Sequence, residues 1–524
     1  MPEIRFKRHD AEVTVEVSTE RRVAAPIPDE PPEHRHPALC HDAPSTMHDD
    51  GASTDASPFG GPLGARGTSR SWLERERSAA GLCPAFVFHG TTMFTVSFSF
   101  RANALVAFDE DLRVIDALEV PRRSIDWSRL FSDGVSVEAV TRRLFRDTSG
   151  GAYFFVEKDG RVVLPAADNT MWRVRLVDGK LRREDRWDFN PSEGGPHAGP
   201  RLPKPAFGDA VCADEGVCID HAAQHRVISA LPTWDGSGYW FATNLGLVGV
   251  VTPPPAASVT YLDLNDPRDN PWARSQQDER IQNSFSVGAK GAFVVSDYAL
   301  YRFVLEGGRV HIAWRLAVPR TVGAGPKPGH VGMGSGTTPT LVRDDYVAIT
   351  DAGEMMKVIL CSQDEGPDRK PRTVSTHFAF EGSTESACEN SLVSFGNYLV
   401  VGNTYGYVTP FERKERDPDV VGLEGYEIVG GGKLVRRWAS PINVMSAPPK
   451  LGRRNATLYA YTLNDEEQWT IRGLDPWSGD EVFRGVVASG DRRDRDNAWG
   501  TIALGPGDQL YVAQWSGLLR VADR

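Results

Sequence analysis

The chain has 524 residues, of which 40% are hydrophobic and 25% are charged, and its formal net charge is −11. This charge argues against a nucleic-acid partner, because phosphate-binding surfaces depend on clustered lysine and arginine side chains. No run of about 18 consecutive apolar residues occurs, so we expect no transmembrane helix and no membrane partner.

Residues 1–84 are predicted to form an N-terminal arm. Residues 1–18 are polar and have no apolar signal sequence, so we expect a cytoplasmic protein. Residues 12–17 alternate apolar and polar side chains, which is typical of a half-buried strand. Residues 19–70 mix Pro, Ser, Asp and Gly with few large apolar residues, and we expect a largely irregular segment that is poorly ordered or clings to the surface.

Residues 85–524 are predicted to form one β-propeller, because a unit of short strands and glycine-rich turns recurs along them. The last unit has three strand patterns and stops one strand short. This is typical of a ring that an N-terminal strand completes, and we assign that role to residues 12–17. We therefore predict an all-β fold with eight blades, with seven as the alternative. The predicted blades span residues 85–120, 150–188, 227–264, 281–318, 336–382, 390–440, 446–488 and 497–524.

The clearest unit carries a resemblance to a known family. Tyr459-Ala-Tyr-Thr forms one strand pattern, and Ile471-Arg-Gly-Leu-Asp-Pro-Trp-Ser-Gly-Asp-Glu-Val-Phe follows after a turn. This pattern resembles the repeat of pyrroloquinoline-quinone-type, quinoprotein-like propellers. The resemblance implies a propeller and, for the enzymes of that family, a calcium-supported quinone that oxidises an alcohol or a sugar. The chain lacks the adjacent Cys-Cys pair and the haem motif of those enzymes, so we predict no cofactor.

Three polar clusters have residue types that bind metals. Cys212 and Cys218 flank Ala-Asp-Glu-Gly-Val, a spacing that fits a small disulfide or a metal site, and their state is left open. An aspartate-rich stretch near residue 266 does not match the EF-hand spacing, so a plain polar loop is favoured over calcium. A third cluster is interpreted as an irregular tail, because metal ligands need supporting contacts. Its members are His34, His36, Cys40, His41 and His48.

Propeller geometry predicts where a site lies. Each blade runs from an inner strand A to an outer strand D, so the D-to-A connections and the B-to-C turns share one face. We predict Glu385, Glu389 and His330 as catalytic residues, since carboxylates near a channel can acquire raised pKa values for acid or base work. For Asp351 and Asn403 the alternative is that their side chains cap their own turns. For Lys450 the alternative is an ordinary surface position. The predicted substrate-binding residues are Asn283, Asn390, Asp351, Asn403, Lys450 and Trp515.

Three functions fit the sequence. The favoured one is a cofactor-independent lyase, isomerase or hydrolase that acts on a small organic substrate at the channel mouth, with long insertions at 188–226, 253–280 and 319–336 as walls or a lid. The second is a non-catalytic scaffold for a protein or ligand. The third is a quinone-dependent dehydrogenase, since the resemblance implies it. Fold alone does not choose among them.

Overall fold

The computed structural model describes most of the chain. The cysteine pair Cys212 and Cys218 lies outside the described residues, as does most of the 188–226 insertion. The described ranges are 4–17, 26–28, 30–64, 67–76, 81–99, 102–122, 148–189, 202–203, 225–255, 257–273, 279–323, 325–410, 412–464, 466–489 and 492–523.

Almost all regular structure in these ranges is β-strand. The strands, in chain order, are β1 (Phe6–Val17), β2 (Ala56–Ser57), β3 (Thr68–Arg75), β4 (Val87–His89), β5 (Thr92–Ser97), β6 (Asn103–Phe108), β7 (Val114–Val120), β8 (Phe155–Val156), β9 (Val162–Pro165), β10 (Thr170–Val177), β11 (Lys180–Asp188), β12 (Val227–Pro232), β13 (Tyr239–Thr243), β14 (Leu247–Val251), β15 (Val259–Asp263), β16 (Ser286–Gly288), β17 (Gly291–Val295), β18 (Ala299–Glu306), β19 (Arg309–Ala317), β20 (Thr340–Val342), β21 (Tyr346–Thr350), β22 (Lys357–Ser362), β23 (Val374–Phe378), β24 (Val393–Phe395), β25 (Tyr398–Gly402), β26 (Tyr407–Thr409), β27 (Glu412–Arg413), β28 (Leu423–Val429), β29 (Lys433–Ser440), β30 (Lys450–Gly452), β31 (Thr457–Leu463), β32 (Gln468–Leu474), β33 (Glu481–Ser489), β34 (Ile502–Gly505), β35 (Gln509–Gln514) and β36 (Gly517–Asp523).

Within the described residues, helical structure is limited to single turns. These are α1 (Arg492–Arg495) and the 3-10 turns Pro32–His34, Pro367–Arg369, Phe380–Gly382 and Gly430–Gly432. In the part of the chain that the structure describes, no helix has the length and apolarity needed to cross a membrane.

The strands form six four-stranded sheets, one ten-stranded sheet and a two-stranded hairpin, β26–β27. The four-stranded sheets are β4–β7, β8–β11, β12–β15, β16–β19, β20–β23 and the set β24, β25, β28 and β29. All residues of the middle strands β6 and β13 are buried, whereas the fourth strands β7 and β11 are largely exposed or half-buried. Each sheet is therefore covered on both faces by its neighbours and reaches solvent at its last strand.

First strands of successive sheets contact each other, as β12 does with β16 and β16 with β20. The first strands thus gather at one centre, while the fourth strands lie outside. The protein is an all-β propeller. The number of blades and the closure of the ring stay predictions.

The ten-stranded sheet joins the two ends of the chain. Strand β3 pairs antiparallel with the last strand, β36. Strand β1 pairs with β3 through residues 6–13 and with β33 through residues 14–17. The strand beside β36 is therefore Thr68–Arg75, and the assignment of that place to residues 12–17 is wrong. Burial explains the difference: β3 alternates buried and half-buried residues, whereas in β1 only Val13 is buried.

Residues 44–57 occupy the centre of the propeller. Their backbone carbonyls accept hydrogen bonds from the inner strands: Pro44 from β4, Gly51 from β16, Ala52 from β20, Thr54 from β24 and Asp55 from β30. Apart from β2 the segment is irregular, and it is neither loosely attached nor on the surface. His48, expected in an irregular tail, is only 5% exposed. We call residues 44–57 the central segment.

Lys450, at the start of β30, anchors the central segment. Its Nζ donates to the carbonyl of Met47 and to Oδ2 of Asp49, both at 2.9 Å, and to Asp55. The Lys450 side chain is 1% exposed. Burial alone would lower the pKa of Lys450, but the two carboxylates raise it above its ordinary value. Lys450 was predicted to contact the substrate, but in the structure its ammonium group forms an internal ion pair with Asp49 and Asp55.

Replacement of this buried lysine should destabilise the fold. Lys450→Met leaves the carboxylates of Asp49 and Asp55 without their cation, and removing one partner of a buried pair costs about 3–5 kcal/mol. The measurement is the free energy of unfolding in urea. The matched control is Lys180→Met, because the Lys180 side chain is 66% exposed in its pair with Asp116 and should contribute at most about 1 kcal/mol. Equal losses in both variants would contradict the assignment of Lys450 as the anchor.

Candidate functional site

The connection between β19 and β20, residues 318–339, crosses the face formed by the D-to-A connections and B-to-C turns. We call this the upper face. The amide of Ala352 in the β21–β22 turn donates to Pro319, and the amide of Gly329 donates to Tyr407 of the inserted hairpin at 2.9 Å. The connection therefore spans more than one sheet. Its glycines allow close approach: at Gly329, where φ is +93°, an added Cβ would lie 2.6 Å from the carbonyl oxygen of Thr404.

This connection places His330 against Glu389, which lies just before β24. His330 Nδ1 and Glu389 Oε2 are 2.8 Å apart, and the two side chains are 0% and 4% exposed. Neither His330 Nε2 nor Glu389 Oε1 has a hydrogen-bond partner among the described residues. The structure thus brings together two of the three predicted catalytic residues. A buried imidazole–carboxylate pair with one unused atom on each side is suited to proton transfer.

Gly336 and Asn283 hold Glu389 in place. Gly336 has φ +67°, and an added Cβ would lie 2.3 Å from Glu389 Oε2. Asn283 Nδ2 donates to the carbonyl of Gly336 and, at 3.3 Å, to the carbonyl of Glu389. Asn283 Oδ1 accepts a hydrogen bond from the Tyr153 hydroxyl at 3.0 Å. Both ends of the Asn283 amide are therefore used, and it positions the site instead of binding a substrate as predicted.

Two further amides have unused donors near the pair. Asn390 follows Glu389 in the chain and is buried, and its Nδ2 has no partner among the described residues. Gln282 precedes Asn283, and its Nε2 is likewise unpaired in the described part of the chain. Unpaired buried donors are costly and are typical of places where a ligand or water binds. The binding role of Asn390 stays a prediction.

Glu385 does not join this site. Its Oε2 accepts a hydrogen bond from the backbone amide of Asp417 at 2.6 Å, and the residue is half-buried. Asn403 Nδ2 donates to the Glu385 carbonyl at 3.0 Å, while its Oδ1 accepts from Ala387 and Tyr405. Both side chains therefore stabilise local loops, which was the alternative for the turn residue Asn403.

Asp351 and Trp515 also lie on B-to-C turns. Asp351 Oδ1 accepts from the amides of Gly353 at 3.3 Å and Lys357 at 2.9 Å, so it caps its own turn. Burial raises the pKa of Asp351, although these bonds oppose the shift. Trp515 is half-buried between β35 and β36, where its amide donates to the carbonyl of Asp496 at 2.8 Å. The predicted substrate contacts of both residues stay predictions.

Other titratable groups border the same connection. Burial raises the pKa of Asp297 to about 7, against the effects of the Arg280 amide and the Arg320 guanidinium. The Arg320 guanidinium lies 3.7 Å from Asp297 and stacks over Tyr298. Burial lowers the pKa of Lys327 to about 8, although Asp351 and Glu354 oppose this. Burial thus shifts the pKa values of two groups of the upper face, Asp297 and Lys327, toward neutral pH.

Sequence reasoning missed Tyr153, Gln282 and Gly336. Tyr153 precedes β8 in a stretch without a polar motif, so no signal marks it. Gln282 adjoins the predicted Asn283, and extension of that prediction by one residue would have included it. Gly336 lies in the most glycine-rich stretch of the chain, 329–336, and that richness was the available signal.

A calcium-supported quinone finds no support in these residues. No group of three or more His, Cys, Asp or Glu side chains that could hold a metal ion occurs within the described ranges. In the aspartate-rich stretch, Asp263 accepts from the Asn265 amide at 2.9 Å, and Asp266 pairs with Arg268. These carboxylates serve their own turns. We therefore derive no reaction step through a quinone.

Comparison with known proteins leaves the family open. No family model matches the chain. An uncharacterized protein of Archaeoglobus fulgidus is 25% identical over 325 residues, which cover 57% of this chain and 61% of that relative. The match thus spans less than two thirds of the relative's length.

Solved structures of low similarity include propellers and oxidoreductases. Sqt1 from Chaetomium thermophilum has a TM-score of 0.47 at 11% identity, covering 86% of this chain and 97% of Sqt1. The quinohemoprotein alcohol dehydrogenase ADHIIG from Pseudomonas putida HK5 has a TM-score of 0.42 at 10% identity, covering 92% and 80%. The β-propeller domain of Myceliophteria thermophila Cps50 has a TM-score of 0.39 at 10% identity, covering 86% and 98%. Such values carry no argument about function.

Gly336 should tolerate no side chain. Gly336→Ala places a methyl group against the Glu389 carboxylate at a positive φ, which should cost roughly 1–3 kcal/mol and displace Glu389 from His330. The matched control is Gly325→Ala in the same connection, because an added Cβ there has no atom within 4 Å. Thermal unfolding and a crystal structure of each variant check this. An unchanged melting temperature for Gly336→Ala, with the pair intact, would contradict the described packing.

Proposed function

We propose that the protein is a cytoplasmic, cofactor-independent enzyme that performs acid–base chemistry on a small organic substrate at the upper face. The observation that carries this proposal is the buried pair of His330 and Glu389, with His330 Nε2 and Glu389 Oε1 both unpaired among the described residues. A polar group buried without a partner is costly, and function is a common reason for it. Lyase, isomerase and hydrolase reactions all use such a pair.

The two residues take different roles. When Glu389 is ionised, its Oε2 can only accept, so His330 Nδ1 carries the proton of their hydrogen bond. In the neutral imidazole, Nε2 then has the free lone pair and is the general base. Glu389 fixes the tautomer and stabilises the imidazolium that forms when Nε2 takes a proton. Asn390 Nδ2 and Gln282 Nε2 supply donors for an oxygen of the substrate that gains negative charge.

Substrate entry requires movement of the connection above the pair, because the His330 side chain is fully buried. The connection lies over the β21–β22 turn and the β26–β27 hairpin, to which Pro319 and Gly329 are hydrogen-bonded, and this position suits a lid. Eight quinoprotein-like blades would supply the rigid frame. The six four-stranded sheets support that number, because the ten-stranded sheet contains two further four-stranded sets, β30–β33 and β34–β36 with β3.

Loss of the base should abolish turnover. His330→Ala removes the proton acceptor and Glu389→Gln removes the charge that orients it, so each should lower kcat by about 10²–10⁴-fold. The assay follows substrate consumption by NMR in mixtures of small esters, lactones and hydroxy acids. His311→Ala is the matched control, because His311 is exposed on β19. Turnover that survives both substitutions at the pair would contradict the proposal.

A second candidate, a protein-binding scaffold, is favoured by exposed apolar side chains on the rim of the β20–β23 sheet. Met355 is 43% exposed and Phe378 is 46% exposed, and both lie within 4 Å of the position of a Cβ on Gly382. The scaffold would be favoured over the enzyme by two results together. The protein would turn over none of the tested substrates, and it would bind a protein partner less tightly after Met355→Ser.

A further inference from the structure

A second site lies at the opposite end of the inner strands. Each inner strand begins near the upper face and ends at its A-to-B turn, so these turns form a lower face. A cavity of about 80 Å³ opens there between the central segment and the turns after β16 and β20. Its lining includes Glu30, Asp49, Asp50, Arg343 and Arg453. The site is distinct from the His330–Glu389 pair and does not depend on the function proposed for it.

The central segment places two carboxylates, those of Asp49 and Asp50, in the lining of this cavity. Asp49, Asp50 and Asp55 lie within seven positions of one another, and Lys450 is shared between Asp49 and Asp55. The Asp49 side chain is 2% exposed, and its Oδ1 has no hydrogen-bond partner among the described residues. A buried carboxylate oxygen without a partner carries a large desolvation cost. The single positive charge of Lys450 is therefore shared by two carboxylates, Asp49 and Asp55.

Asp50 is the second carboxylate of the cavity lining. Its Oδ1 accepts from the amides of Ala52 at 3.0 Å and Thr54 at 3.1 Å, and its Oδ2 accepts from the Thr54 hydroxyl at 2.6 Å. Burial raises the pKa of Asp50 to about 6, although these hydrogen bonds and Arg453 oppose the shift. No side-chain cation is within ion-pair distance of this carboxylate among the recorded pairs. A positive ligand in the cavity would relieve the cost of ionising it.

Two of the three guanidinium groups that line the cavity, those of Arg453 and Arg35, have protein acceptors. Arg453 donates to the carbonyls of Pro28 at 2.9 Å and Ala56 at 3.5 Å, and it pairs with Glu30 at 3.5 Å. Arg35 Nε donates to the carbonyl of Glu30 at 2.6 Å. The third, Arg343, is exposed, whereas the buried lining atom without a partner among the described residues is an acceptor, Asp49 Oδ1, which favours a cationic ligand.

We propose that this cavity binds a small organic ammonium ion, with its N–H donors on Asp49 Oδ1 and the Asp50 carboxylate. An ammonium group provides several directed donors for these oxygens. A multivalent metal fits less well, because the described residues include no group of three or more metal-ligating side chains. The volume sets the size: at roughly 15 Å³ per water-sized site, it holds a ligand of about five non-hydrogen atoms.

The direct test is a calorimetric titration of the full chain with ethanolamine at constant ionic strength. We expect saturable binding to the wild-type protein, and at least tenfold weaker binding to Asp50→Asn. The matched control is Asp297→Asn, a buried carboxylate of the upper face, which should leave the affinity unchanged. Absence of saturable binding to the wild type, or an equal response to sodium or potassium chloride, would overturn the proposal.

A second measurement places the ligand without any substitution. Cys40 lines the cavity and is half-buried, whereas the other free cysteines of the described residues are buried. Bound ethanolamine should slow alkylation of Cys40 by iodoacetamide at least threefold relative to the same concentration of sodium chloride, as measured by peptide mass spectrometry. An unchanged rate at saturating ethanolamine would overturn the assignment of the ligand to this cavity, even if binding occurs elsewhere.

Discussion

The hydrogen bonding of the central segment to the inner strands is the constraint on which the rest of the structure depends. An inner strand of a propeller has one edge turned away from its own sheet, and its amides need acceptors. The carbonyls of Pro44, Gly51, Ala52, Thr54 and Asp55 supply them to five different sheets. An apolar side-chain core cannot do this, because it provides no hydrogen-bond acceptors. The central segment is therefore an internal part of the propeller.

The same constraint explains the buried charge. A chain that follows the centre must turn sharply, and aspartate, serine and threonine are the residues that cap such turns. Asp50 does this for the amides of Ala52 and Thr54. The carboxylates that stabilise the turns are then trapped in the interior, where Lys450 offsets part of their charge. The negative cavity at the lower face is thus a consequence of the way the segment is folded.

The strands were predictable and the centre was not. Alternation and glycine turns predicted the all-β propeller, because they reflect local backbone geometry that each unit repeats. The partner of β36 was missed, since residues 12–17 and 68–75 both alternate, and only their burial against the rest of the sheet separates them. Residues 44–57 resemble a disordered tail in composition. Their order comes from acceptors on strands distant in sequence, which no local pattern contains.

The candidate catalytic pair shows the same division. His330 and Glu389 were predicted separately from their positions on one face, and the structure brings them to 2.8 Å. Glu385 was predicted with equal weight, but the amide of Asp417 takes its carboxylate. What separates the two glutamates is Gly336, whose missing Cβ leaves room for Glu389. The repeat determines which residues lie on the upper face. Whether one of them pairs with His330 depends on the irregular connection that packs above it. The chemistry of this propeller is therefore set by the segments that break its repeat, one above the inner strands and one between them.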